Sequence, residues 1–95
     1  MNKMQKFQGI KLGAEVVYQL NDDGMMVYVP EKGMIHAINL TAADIILFVE
    51  QGYDTIEALT EKMLEKYIGV SKDELIVDVK NLLNSLEELE ILGGQ

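Results

Sequence analysis

The 95-residue chain contains no cysteine, no tryptophan and no arginine, and it has one proline and one histidine. Without cysteine there is no disulfide framework, no thiolate nucleophile and no Cys-ligated zinc or iron–sulfur site. With His36 as the only histidine, a His-rich metal site and a multi-histidine proton relay are both excluded. Serine is scarce too: Ser71 and Ser85 are the only two, and neither sits in a Gly-x-Ser-x-Gly nucleophile elbow. No apolar run approaches the roughly 18–20 residues of a membrane span. The opening Met1-Asn2-Lys3-Met4-Gln5-Lys6 lacks the apolar stretch of a secretory signal. A cytoplasmic protein with no membrane partner is the expectation.

The missing arginine matters for partners as well, because arginine supplies the bidentate fork that usually grips phosphate or reads guanine. All eight basic residues are lysine, they face sixteen acidic residues, and the net charge is −8. Residues 1–40 carry four lysines and four acids and are neutral; residues 41–95 carry four lysines and twelve acids, so the whole excess lies there. Such a surface repels nucleic acid and anionic lipid alike. Hydrophobic residues make up 48% of the chain and charged ones 25%, the balance of an ordinary folded domain. A chain this short supports one domain with one modest core.

The first half reads as strands. Glu15 to Leu20 and Met25 to Val29 are rich in β-branched and aromatic residues, and the turn signal Asn21-Asp22-Asp23-Gly24 separates them. Pro30 and Glu31-Lys32-Gly33 stop the second run before a third, Met34 to Asn39. Two short connections imply an antiparallel meander with the second strand in the middle and two edges. The second half reads as three helices. Thr41 with Asp44, Asp54 with Glu57, and Ser71 with Glu74 each have the spacing of a capping box. Glycines at 52 and 69 follow the first two helices, and the third runs toward Gly93-Gly94. Residues 1–14 read as an N-terminal arm and 15–95 as the single domain, an α+β chain in the order βββααα.

Chemistry-bearing patterns are few. Asp22-Asp23 belongs to a turn and Glu87-Glu88 to an exposed helix face, so both carboxylate pairs read as solvated surface. Gly9 and Gly13 follow no strand and precede no Gly-Lys-Ser/Thr, so they form no phosphate loop. His36 reads as a packed or half-exposed sheet residue. No catalytic constellation and no cofactor site emerge. The third helix says more. At about 100° per residue, Leu75, Val79, Leu82, Leu86 and Leu89 form a core stripe. Ile76 and Leu83 lie on one flank, with Lys80, Asn84 and Glu87 beyond them. The flank is either the rim of a wide core or a shallow apolar groove, with Leu83 placed slightly in favour of the groove. An edge strand beside such a groove accepts an extended peptide as an added strand.

The segment Ile38-Asn39-Leu40-Thr41-Ala42-Ala43-Asp44-Ile45 resembles the Leu-Asn-x-Thr-Ala-x-Glu-Ile signature of the PqqD family. That family includes the recognition elements for ribosomally made, post-translationally modified peptides. The likeness continues through Gly52, Thr55-Ile56-Glu57, Leu59, Tyr67, Val70, Asp78-Val79, Leu82-Leu83, Leu86 and Ile91-Leu92. The chain departs from the family pattern at Ile46, where an aromatic residue is common, and at Glu90, where glycine is common. The resemblance implies a winged-helix-like fold that binds the leader of a precursor peptide without catalysing a reaction. The leader would lie as an added strand against the third strand, at Met34, Ile35, His36, Ala37 and Ile38, facing Ile76, Lys80, Leu83 and Asn84 of the third helix. It would be presented to a modifying enzyme, a radical S-adenosylmethionine enzyme first and a leader protease second.

Two other functions compete. Helices two and three are arranged as a helix-turn-helix pair would be, but the would-be recognition helix, residues 72–92, holds two lysines against six acids. A protein contacting roughly 6–10 phosphates supplies basic groups to do so. The other alternative is a small dimerisation module built on the open strand edge.

Overall fold

The computed structural model describes residues 9–13 and 15–93. In chain order its elements are β1 (Lys11–Leu12), β2 (Val17–Asn21), β3 (Gly24–Val29), β4 (Met34–Asn39), α1 (Leu40–Glu50), α2 (Ile56–Lys66), α3 (Lys72–Glu88) and β5 (Leu92–Gly93). The meander forms as its turn chemistry dictates: β2, β3 and β4 pair antiparallel in that order, leaving β2 and β4 as edges. Gly24 closes the first turn at φ 149°, and a Cβ there would stand 1.9 Å from the Ile38 carbonyl oxygen of β4. Only glycine fits that approach. At the second turn Gly33 takes φ 62°, the left-handed residue that ends a four-residue hairpin loop.

The pleat sends Met25, Val27 and Val29 of β3 into the core. Ile45 and Ile46 of α1, Leu59 and Met63 of α2, and Leu75, Val79, Leu83 and Leu86 of α3 meet them in one cluster. The sheet forms one layer and the helices the other, an α+β arrangement of the winged-helix kind.

Two helix starts differ from the capping boxes read in the sequence. For α1 the cap is Asn39, whose Oδ1 accepts the Ala42 N–H at 2.9 Å, so β4 passes into the helix with no loop. Thr41 lies inside the helix. Asp44 is buried and tied instead to the end of α2. For α2 the cap is Thr55, whose Oγ1 accepts the Ala58 N–H at 3.0 Å. The neighbouring Asp54 offers its main-chain oxygen to the Ile10 N–H. Ser71 caps α3 as its spacing predicts, accepting the Glu74 N–H and donating to the Glu74 carboxylate.

The third helix stops earlier than Gly93-Gly94. Leu89 is its C-cap and Glu90 turns left-handed at φ 62°. The Ile91 N–H then reaches the Leu86 oxygen and the Glu90 N–H the Glu87 oxygen, the two bonds of a Schellman motif. Ile91 and Leu86 are both buried, the apolar contact that completes it. Glu90 thus performs the turn for which glycine is the usual residue. The chain leaves this turn as β5, which pairs with β1. Residues 9–13, read from sequence as part of an arm, are therefore packed: Ile10 is buried, and the Gly13 N–H bonds the Ile91 oxygen at 2.9 Å. Two-residue strands are too short for periodicity to reveal. The remainder of that arm, 1–8 and 14, and Gly94 lie outside the described residues.

Candidate peptide-binding edge

The β2–β3 connection has two residues, so its closing pair, Asn21 and Gly24, must exchange both main-chain hydrogen bonds. Alternation then directs the main chain of Met25, Val27 and Val29 toward β4, onto Ile38, His36 and Met34. Ile35 and Ala37 are left with their N–H and C=O groups pointing out of the sheet. No strand among the described residues pairs with them, which makes an edge of the sort that accepts a further strand. No residue of β4 carries a formal charge at pH 7 with His36 neutral, and the strand holds no proline and no bulge, so none of these features blunts the edge.

Side chains of β4 alternate independently of that pattern. Met34, His36 and Ile38 share the helix-facing side with Val29, Val27 and Met25, while Ile35 and Ala37 face the opposite side. Burial grades along the strand: Ile38 is buried, His36 half-buried and Met34 50% exposed although it faces the helical layer. The layer therefore closes over the Asn39 end, where α1 packs on β4, and stands off at the Met34 end. At the Asn39 end an open depression of about 590 Å³ is lined by Met25, Met26, Ala37 and Ile38 with the turn 21–23.

On α3 the buried positions are Leu75, Val79, Leu83 and Leu86, while Leu82 and Leu89 are half-buried. The helix is thus rotated by roughly 40° from the stripe that spacing suggested. Leu83 is 1% exposed and belongs to the core, which corrects its placement on a groove wall. A helical wheel fixes relative angles among residues but not which way the helix faces its neighbours. On the flank beyond Leu83, Ile76 is half-buried and Lys80 and Asn84 are exposed. Of the residues proposed from sequence, the structure joins Met34 to Ile38 in one open strand. Ile76, Lys80 and Asn84 share one flank of α3.

Charge is distributed as the composition requires. Lys72 pairs with Glu61 at 2.9 Å and Lys66 with Asp44 at 2.7 Å. The lysine that opens α3 is thus engaged within the protein, and this helix offers no basic face to phosphate. The Asp44 carboxylate also accepts from the Tyr67 hydroxyl, tying α1 to the end of α2. Burial first, and then this bond, hold the Tyr67 phenol above its usual value of 10.0. The bond to Asp44 raises Lys66 likewise.

The family model for coenzyme PQQ synthesis protein D (PqqD) matches residues 24–92, which span β3, β4 and all three helices. The chain belongs to the PqqD family. No curated protein matches it. Among solved structures, TbiB1 in complex with the TbiA(beta) leader peptide is 21% identical with a TM-score of 0.80, over 90% of this chain and 96% of that one. Lasso peptide synthetase B1 complexed with the leader peptide is 23% identical with a TM-score of 0.75, over 87% and 95%. These likenesses establish the PqqD-type fold. Among the described residues no helix is long and apolar enough to cross a membrane.

Proposed function

We propose that this PqqD-family protein binds the leader of a ribosomally made precursor peptide and presents it to a modifying enzyme, without itself catalysing the modification. The observation that carries the reading is the unpaired main chain of Ile35 and Ala37 on an uncharged edge strand. A leader laid there gains main-chain hydrogen bonds from those two residues. Its alternate side chains fall beside Met34 and His36, where the helical layer stands off, and toward Ile76, Lys80 and Asn84. Two structures of the same fold hold leader peptides, which supports the assignment. A peptide-binding role also suits a chain with one histidine, no cysteine and no cation-rich surface. The enzyme served is a radical S-adenosylmethionine enzyme or a leader protease.

Calorimetric titration with a panel of synthetic leaders, the TbiA(beta) leader among them, tests the proposal. Saturable binding at roughly micromolar Kd, about 8 kcal/mol, is expected for the matching leader. Lys80→Ala is expected to weaken a leader with an acidic residue at that position by a few-fold at most, less in high salt. Absence of heat and of any spectral change with every leader at millimolar concentration rejects it.

A further inference from the structure

The register that opens β4 also arranges the far side of the sheet, away from the helices. Val17, Tyr28 and Ile35 stand in one row across β2, β3 and β4, and Gln19, Met26 and Ala37 stand in the next. All six are exposed, Val17 by 56% and Ile35 by 63%. Five are apolar and none is charged. Adjacent rows on three paired strands make one continuous apolar patch rather than scattered surface residues.

We propose that this face packs, sheet on sheet, against the same face of a second copy of the chain. The charge distribution selects that occupant. Residues 41–90, which hold the entire −8, run through the three helices behind the sheet. Stacked sheets lie about 10 Å apart. With a helical layer behind each, two copies joined here hold their acidic layers roughly 30 Å apart, several times the ~8 Å screening length at physiological salt. Contact through the helices instead sets acids against acids within that length. The outer sheet face is therefore the surface on which this acidic chain meets itself without like-charge repulsion. A two-fold relation makes the patch self-complementary, with Tyr28 in the middle of its row as the aromatic anchor.

The contact leaves the peptide edge free. Ile35 and Ala37 give their side chains to this face and their main chain to the edge, so a dimer presents two leader strands at once. Six residues per copy compare with about 20–30 per side in a standard interface, so association is weak and concentration-dependent.

Sedimentation equilibrium of the full chain without peptide, from about 10 µM to 1 mM, reads this directly. The mean mass is expected to climb from the 10.7 kDa monomer toward twice that value. Amide shifts that move with concentration are expected to centre on the six residues named. Tyr28→Glu and Val17→Lys, each checked for native circular dichroism, are expected to weaken association tenfold or more. Leu20→Pro, which removes an outward N–H from the β2 edge, is expected to leave it unchanged. A monomer at every concentration overturns the proposal. So does a dimer that survives both charge variants but fails with Leu20→Pro, which is the signature of edge-to-edge pairing.

Discussion

Leu83 fills space that no water reaches, within the cluster that joins α3 to the rest of the core. Leu83→Ala is expected to destabilise the fold by about 2–5 kcal/mol, as truncation of a buried leucine does. The folded fraction should bind leader with nearly unchanged affinity. Chemical denaturation and peptide titration on the same protein check both halves. A variant that stays within about 1 kcal/mol of wild type but loses affinity several-fold would return Leu83 to the binding surface. Spacing placed this residue at the edge of the stripe, and only packing against α2 and the sheet decides which edge is covered. Asn39 and Asp44 carry the same lesson. Both lie in the recognisable signature, yet one caps α1 and the other ties it to Lys66 and Tyr67. The signature reports the architecture that holds the strand, while the residues proposed to touch peptide lie largely outside it.

Among the elements, β4 carries the proposed function because its two main-chain faces differ. Proline at Ile35 removes an N–H that points outward, and proline at His36 removes one bonded to Val27 of β3. Ile35→Pro is therefore expected to stay folded, within about 1 kcal/mol, and to lose leader affinity tenfold or more. His36→Pro is expected to lose about 3 kcal/mol or more. Thermal melts of the pair give the phase of the strand; the opposite ranking would mean that the outward residues are Met34, His36 and Ile38. That phase was hidden in the sequence, because the positions of apolar residues set side-chain faces and say nothing of hydrogen-bond direction. The α1–α2 tether makes a second prediction. Asp44→Asn is expected to destabilise by about 1–3 kcal/mol, since a nearly buried carboxylate accepts two hydrogen bonds there. Tyr67 and Lys66 both have raised values in the fold, so each favours the protonated form. Their contribution is present in full below pH 10 and is lost as pH rises through the raised values. Urea midpoints measured from pH 7 to 11 should fall along the alkaline limb in the wild type and more gently in Tyr67→Phe.

For the whole molecule, the order βββααα, the central place of the second strand and the two open edges were all legible in composition and turn chemistry. The β1–β5 ribbon was not, because two residues carry no period. Neither was the end of α3, where Glu90 takes a left-handed turn usually left to glycine and hides the stop signal. What the assembled chain offers is an acidic helical layer, a neutral sheet and, among the described residues, two edge strands with unpaired outward main chain, of which β4 is the one proposed to take the leader. The central claim is that a leader adds to the sheet at that strand. Amide hydrogen exchange followed by NMR, with and without saturating leader from the matching precursor, tests it most directly. The amides of Ile35 and Ala37 are expected to exchange quickly in the free protein and to become protected on binding, while Tyr18 and Leu20 on the β2 edge keep their rates. Protection that appears at Tyr18 and Leu20, with Ile35 and Ala37 unchanged, would contradict the account.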